Sequence, residues 1–154
     1  MIRIREAREP DLPAILVIEE EAFSPPWSEG ALLSQLGRDD GYFAVVTESD
    51  TDAGDGPVLG FIITRYAADE AELYQIAVRE DARRRGIAGV LLEAALADCR
   101  RQETVAMFLE VRRGNSAAAA LYKKFGFKVE GRRKNYYSSP VEDALVMSRL
   151  LREV

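Results

Sequence analysis

The stretch LYQIAVREDARRRGIAGVLLEAAL, residues 73–96, constrains the fold more than any other part of the chain. An apolar, strand-like run ends at Val78. Arg83, Arg84 and Arg85 follow, then Gly86, Ala88 and Gly89, and then an apolar pattern with helical spacing. A strand that feeds a helix through a basic, small-residue junction belongs to a layered α/β architecture. The junction also carries chemistry. The first turn of a helix exposes unpaired backbone N–H groups and partial positive charge, so it attracts anions. Glycine lets a ligand approach the backbone, and arginine adds bidentate phosphate recognition. A bland basic helix start is the competing explanation. It must accept arginines that oppose the helix dipole and glycines that each cost about 1 kcal/mol relative to alanine. The junction therefore reads as a phosphate or pyrophosphate cradle, although it matches neither G-x-G-x-x-G nor G-x-x-x-x-G-K-[ST].

The rest of the chain supplies the layers. IRIRE at 2–6 alternates as an edge strand. Asp11 is positioned to cap a helix over LPAILVIEEEAF, with Ile15, Ile18 and Ala22 on one side. SPPW breaks that helix, and Ser28 caps a second one, EGALLSQL, which Gly37 ends. YFAVVTE (42–48) and PVLGFIITRY (57–66) read as a hairpin across the acidic stretch SDTDAGDG. AELYQIAV (71–78) is the next strand, and a helix is expected from about Asp81 to Gln102. TVAMFLEV (104–111) is a further strand. NSAAAALYKKF is a helix begun by Asn115 and ended by Gly126, and β-rich stretches near 127–134 and 141–150 close the chain. The order βααβββαβαββ predicts one domain, 1–154, with a mixed, mostly antiparallel sheet of about seven strands and helices on both faces.

Composition removes several function classes. The chain has no histidine and one cysteine, Cys99, at helical spacing from Leu92, Ala95 and Leu96. A zinc site, a Ser-His-Asp triad and a disulfide framework are accordingly excluded from the expectations, and Cys99 reads as core. No apolar run approaches membrane-spanning length, so a cytoplasmic protein with no membrane partner is expected. The net charge of -5 conceals an asymmetry. Residues 1–82 hold 6 basic and 18 acidic side chains, whereas residues 83–154 hold 15 and 8. Either two surfaces await partners of opposite sign, or the charges mix once the chain folds. The basic runs coincide with the cradle and the total charge is negative, so no nucleic-acid partner is expected.

Arg83-Arg84-Arg85-Gly86-Ile87-Ala88 matches the [QR]-x-x-G-x-[GA] signature of the GNAT acetyltransferases. In order along the chain stand PPWSE (25–29), LYQIAV (73–78), LEVRRGNSAAAALYKKFGF (109–127), and NYY with EDALVM (135–147). Together these segments resemble the RimI-type branch, bacterial enzymes that acetylate an N-terminal alanine of a small-subunit ribosomal protein. The N-terminal acetyltransferase subunits of archaea and eukaryotes look similar. The resemblance covers almost the whole chain, except the acidic stretch 48–56. It implies a GNAT fold with splayed central strands, acetyl-CoA as donor with no metal, and a protein N-terminus as acceptor.

The resemblance also assigns residues. It implies that Arg83 to Gly89 wrap the pyrophosphate. Backbone groups of Ile76, Ala77 and Val78 meet the pantetheine and acetyl oxygen, with the Val78 N–H as oxyanion donor. Asn115, by position an N-cap, also touches the pantetheine arm in the family. Glu110 is a charged residue among apolar strand neighbours, where burial raises a carboxylate's pKa. Position alone balances a general base against an ion pair with Arg112, and the resemblance favours the base. Tyr122 shares helical spacing with Ala118, Leu121 and Phe125 and reads by itself as a core tyrosine. The resemblance makes it the acid that protonates the CoA sulfur. Trp27, in a proline-stiffened loop, is equally core or groove wall. Tyr136 and Tyr137, expected in the turn before the last strand, cannot both be core on strict alternation. The family places all three against the peptide. Two further readings stay open: a lysine or small-amine acetyltransferase of the same fold, and a non-catalytic acyl-CoA-binding module. Retention of both Glu110 and Tyr122 argues against the second.

Overall fold

The computed structural model describes residues 1–50 and 55–152, so part of the acidic stretch, 51–54, lies outside the described residues. Strands β1 (Ile2–Glu6), β2 (Gly41–Glu48), β3 (Val58–Ala67), β4 (Glu70–Val78), β5 (Ala106–Arg112), β6 (Lys128–Tyr137) and β7 (Glu142–Leu150) form one sheet in the order β1-β2-β3-β4-β5-β7-β6. Helices α1 (Leu12–Ala22), α2 (Glu29–Leu33), α3 (Ile87–Arg101) and α4 (Ser116–Lys124) cover it. All pairings are antiparallel except β4 with β5, as expected of a mixed, mostly antiparallel sheet with helices on both faces.

Alternation along β2 and β3 divides the core in two. Ala44, Val46 and Ile62 point to one face, where they pack with Leu91, Leu92, Leu96 and Cys99 of α3 and with Tyr122 of α4. Phe43, Val45, Phe61 and Ile63 point to the other and meet Ile15 and Ile18 of α1 and Leu32 of α2. A strand covered on both sides must be apolar throughout, and Val58–Thr64 is buried without a break. β6 is the opposite case. It is an edge strand, exposed at every residue but Tyr137, and Lys128, Arg132, Arg133 and Lys134 charge it against edge-to-edge pairing.

Local chemistry sets the boundaries. Ser28 caps α2 through its Oγ, which accepts the Ala31 N–H at 3.1 Å, and Asn115 caps α4 by accepting the Ala118 N–H at the same distance. Asp11 does not cap α1. Its carboxylate takes two hydrogen bonds from Arg5, at 2.7 and 2.8 Å, and one from the Arg8 N–H, and a 3-10 turn at Glu9–Asp11 precedes the helix. The buried stripe of α1 is Leu12, Ile15, Ile18 and Glu19, while Ala22 is exposed. α2 is shorter than its periodicity suggests and stops at Leu33.

The expected helix from Asp81 is also corrected. A 3-10 turn occupies Glu80–Ala82, and α3 begins only at Ile87. Between them Arg84 and Gly86 are left-handed, with φ of 65° and 78°. Left-handed backbone cannot continue a right-handed helix, so the three arginines sit in a loop ahead of the helix rather than in its first turn.

Candidate active site

The parallel pairing of β4 with β5 runs only from Glu70 opposite Ala106 to Leu73 opposite Leu109. Beyond that point β5 pairs with β7 alone, and residues 74–78 of β4 have no partner on the β5 side. The two strands therefore splay. Part of the cause is sequence-local: the β3–β4 register shifts between Ile63 and Thr64, which leaves Tyr74 as an extra residue on β4. The wedge between the strands is a cavity of about 1090 Å³.

One end of the cavity is built by the junction that opens α3. Arg83, Arg84, Gly86, Ile87, Ala88 and Gly89 line it, as do Ile76, Ala77 and Val78 of the splayed edge. The first helical hydrogen bond of this region runs from the Val90 N–H to the Gly86 carbonyl, so the amides of residues 87–89 precede the intrahelical ladder. Arg83 donates from Nε to the Val78 carbonyl at 3.2 Å, tying the loop to the end of β4. Arg85 turns away: it pairs with Glu48 and does not line the cavity. Gly89 lies under the Phe125 ring, which an added Cβ would meet at 3.3 Å. Asn115 reaches the cavity from the start of α4.

Glu110 and Tyr122 also line the cavity. Glu110 belongs to β5, and its carboxylate forms an ion pair with Arg133, Oε1 to Nε 3.1 Å. The ion pair with Arg112 considered from sequence does not form; Arg112 pairs with Glu142 instead. Tyr122 is 5% exposed, edge-on to Phe127 at 5.8 Å, and among the described residues no hydrogen bond engages its hydroxyl. Burial pushes the Tyr122 pKa well above the ordinary phenol value, with a smaller electrostatic contribution from Tyr137, so the side chain stays protonated.

The far end is aromatic and acidic. Trp27 is half-buried. It packs against the α1–α2 core, meets Tyr74 edge-on at 6.1 Å, and lines the cavity, so it is both core and wall. Tyr136 and Tyr137 lie in β6, not in a turn. A register shift between Arg133 and Tyr137, with Asn135 left-handed at φ 52°, bends the strand and brings both rings to the cavity, 5.0 Å apart. The Tyr136 pKa is raised first by a hydrogen bond to Glu110 and then by burial. Burial, then the charges of Glu110 and Tyr136, push Tyr137 up to about 12. Glu72 of β4 also lines this end, its pKa raised by burial and by the charge of Glu110.

No local sequence pattern points to the residues that hold this end together. Arg112 donates to the Ser24 carbonyl at 2.9 Å and to the Pro140 and Ser138 carbonyls at 3.1 Å, and its guanidinium lies 4.4 Å from the centre of the Tyr137 ring. It thereby joins the α1–α2 loop to the β6–β7 hairpin. Its partners lie 26 to 88 residues away, so no local pattern signals the contact. Glu19 is fully buried and accepts the Trp27 N–H at 2.8 Å and Gln75 Nε2 at 3.3 Å.

Comparison with known proteins agrees with this geometry. The Acetyltransferase (GNAT) family matches residues 12–127. The [ribosomal protein bS18]-alanine N-acetyltransferase of Escherichia coli strain K12 is 36% identical over 140 residues, 90% of each chain. The crystal structure of the Escherichia coli ribosomal-protein-S18-alanine N-acetyltransferase covers 100% of this chain and 96% of its own, with a TM-score of 0.87 and 34% identity. That of Ard1 from Thermoplasma volcanium covers 99% of each chain, with a TM-score of 0.86 and 31% identity. A basic glycine junction beside splayed strands, a family match over most of the chain and relatives above 30% identity lead to one statement: this chain belongs to the GNAT family of acetyltransferases.

Proposed function

We propose that the enzyme transfers an acetyl group from acetyl-CoA to the N-terminal α-amino group of a protein, with Glu110 as general base and Tyr122 as general acid. The acceptor proposed is the N-terminal alanine of a small-subunit ribosomal protein, the substrate named for its relatives. One observation carries the reading. A single cavity is lined by an anion-binding junction, by Glu110 and Tyr122, and by the aromatic wall of Trp27, Tyr136 and Tyr137.

The residues present fit acetyl-CoA. Arg83, Arg84 and the free amides at the start of α3 suit phosphate oxygens, and the unpaired edge of Ile76, Ala77 and Val78 suits an amide-rich arm and a carbonyl oxygen. Bound there, acetyl-CoA supplies an activated thioester. The chain supplies the proton movements. An α-ammonium has a pKa near ~7.8 and a lysine near ~10.4, so the terminal amine is the easier nucleophile to free at neutral pH. Glu110 accepts its proton, directly or through water. The Arg133 side chain that pairs with Glu110 is 58% exposed, so an incoming ammonium displaces it at little cost. Tyr122, kept protonated by burial, delivers a proton to the sulfur as the carbon–sulfur bond breaks. Trp27, Tyr136 and Tyr137 hold the peptide backbone.

Intact-mass analysis of two peptides incubated with enzyme and acetyl-CoA tests this. One carries a free N-terminal alanine and no lysine; the other has a blocked N-terminus and internal lysines. Acetylation of the first alone is expected. Acetylation of the second alone would overturn the acceptor assignment, and modification of neither, despite acetyl-CoA binding, would favour a small amine or a binding module.

A further inference from the structure

Glu19 stands apart from the machinery above. It lies in the C-terminal half of α1, fully buried, on the same buried stripe as Leu12, Ile15 and Ile18. Desolvating a carboxylate is costly unless it is well paired. Yet its hydrogen-bond partners are neutral: the Trp27 N–H and the Gln75 amide.

We propose that Glu19 is a positioning residue for the acceptor peptide: it clamps the Trp27 segment to β4 and so fixes the wall of the groove. The inference rests on the reading of that wall as acceptor-binding.

Three observations support it. First, Glu19 Oε1 is the shared acceptor of a loop and a strand. Trp27 lies in the segment between α1 and α2 that has no regular structure, and Gln75 lies just past Leu73, where β4 loses its β5 partner. The carboxyl group therefore connects the groove wall to the splayed edge. Second, Glu19 Oε2 and Gln75 Oε1 are both buried and both lack a donor. A carboxylic acid carries the one proton that such an acid–amide pair needs, and a glutamine in its place carries an equivalent N–H. Burial raises the Glu19 pKa, which favours that protonated form. Third, Gln75 and Trp27 both line the cavity, whereas Glu19 does not, so its influence passes through them.

The test compares Glu19→Gln with Glu19→Met in the full chain. Trp27 is the only tryptophan, so its emission and acrylamide quenching read the clamp without any substrate. The Met variant fills the space without hydrogen bonds. It is expected to raise the KM for an alanyl peptide about tenfold, to leave acetyl-CoA affinity within about twofold, and to make Trp27 more easily quenched. The Gln variant is expected to match the wild type in all three. If the Met variant fails to fold, Gln75→Leu removes the amide partner and is expected to raise peptide KM about threefold with acetyl-CoA affinity unchanged. Unchanged peptide KM and unchanged quenching would overturn the proposal, as would equal losses for peptide and acetyl-CoA. If the wild type acetylates no peptide N-terminus, the substrate reading fails, and the quenching comparison still decides whether Glu19 holds Trp27.

Discussion

Tyr122 is protonated because it is buried, and it reaches the cavity because α4 presents it beside the splayed strands. Tyr122→Phe keeps the ring and its contact with Phe127 but removes the transferable proton. It is expected to lower kcat by about 10²-fold while acetyl-CoA affinity, measured by calorimetry, stays within about twofold. An unchanged kcat would remove Tyr122 from the acid role. Glu110→Gln is expected to lose most at low pH. Below the pKa of an α-amine, near ~7.8, nearly all acceptor is ammonium and needs a base; above it the free amine is already present. A pH profile of kcat/KM should therefore show the gap between variant and wild type closing as pH rises. A uniform loss would mark Glu110 as structural. Neither role was legible from the residues alone. Tyr122 has the spacing of a core tyrosine, and it is indeed core by burial; Glu110 reads equally as one half of an ion pair, and it does form one, with Arg133 rather than Arg112. The resemblance pointed to both residues, and the fold brings both to one cavity.

At the scale of elements, the junction before α3 shows why a motif is easier to find than its conformation. The basic and small residues of 83–89 were visible at once, but their helical periodicity placed them inside a helix. The left-handed turn at Arg84 and Gly86 instead starts α3 later, and the first helical residues, Ile87, Ala88 and Gly89, line the cavity. A Cβ at Gly86 meets no atom, so the cost of substitution there is conformational. Gly86→Val is expected to cost about 1–2 kcal/mol of stability in urea unfolding and to weaken acetyl-CoA binding about tenfold, while Gly86→Asn is expected to be milder. Equal tolerance of valine and asparagine would contradict the assigned backbone. The Tyr136–Tyr137 pair departs from the expected turn for a similar reason. Alternation assumes an unbroken strand, and the shift at Asn135 lets two adjacent rings share one side of β6. Arg112 and Glu19 were out of reach because their partners are distant in sequence.

For the whole molecule, topology was the most legible property. Strand and helix order follows from local periodicity, and a sheet with two covered faces is the arrangement that buries every apolar stripe. The two halves of the sequence meet in the site, where side chains of both signs line one cavity: Arg83, Arg84 and Arg112 with Glu21, Glu72 and Glu110. Cys99 reports on global integrity. It is fully buried, and desolvation first of all pushes its thiol up to about 11. A raised thiol pKa keeps the neutral, unreactive form across neutral pH, so a thiol reagent at pH 8 should label Cys99 only as the protein unfolds, with labelling tracking the unfolding transition by circular dichroism. Rapid labelling of the native enzyme would contradict the described core.

The central claim is that both reactants meet in the wedge between β4 and β5. The most direct measurement is calorimetric binding of a bisubstrate compound, an alanyl peptide joined through its α-nitrogen and an acetyl linker to the sulfur of CoA. The account predicts that it binds at least about 10²-fold more tightly than CoA alone, and that Trp27→Ala removes most of the gain. A bisubstrate compound that binds no better than CoA would contradict it, because the acceptor would then lie elsewhere.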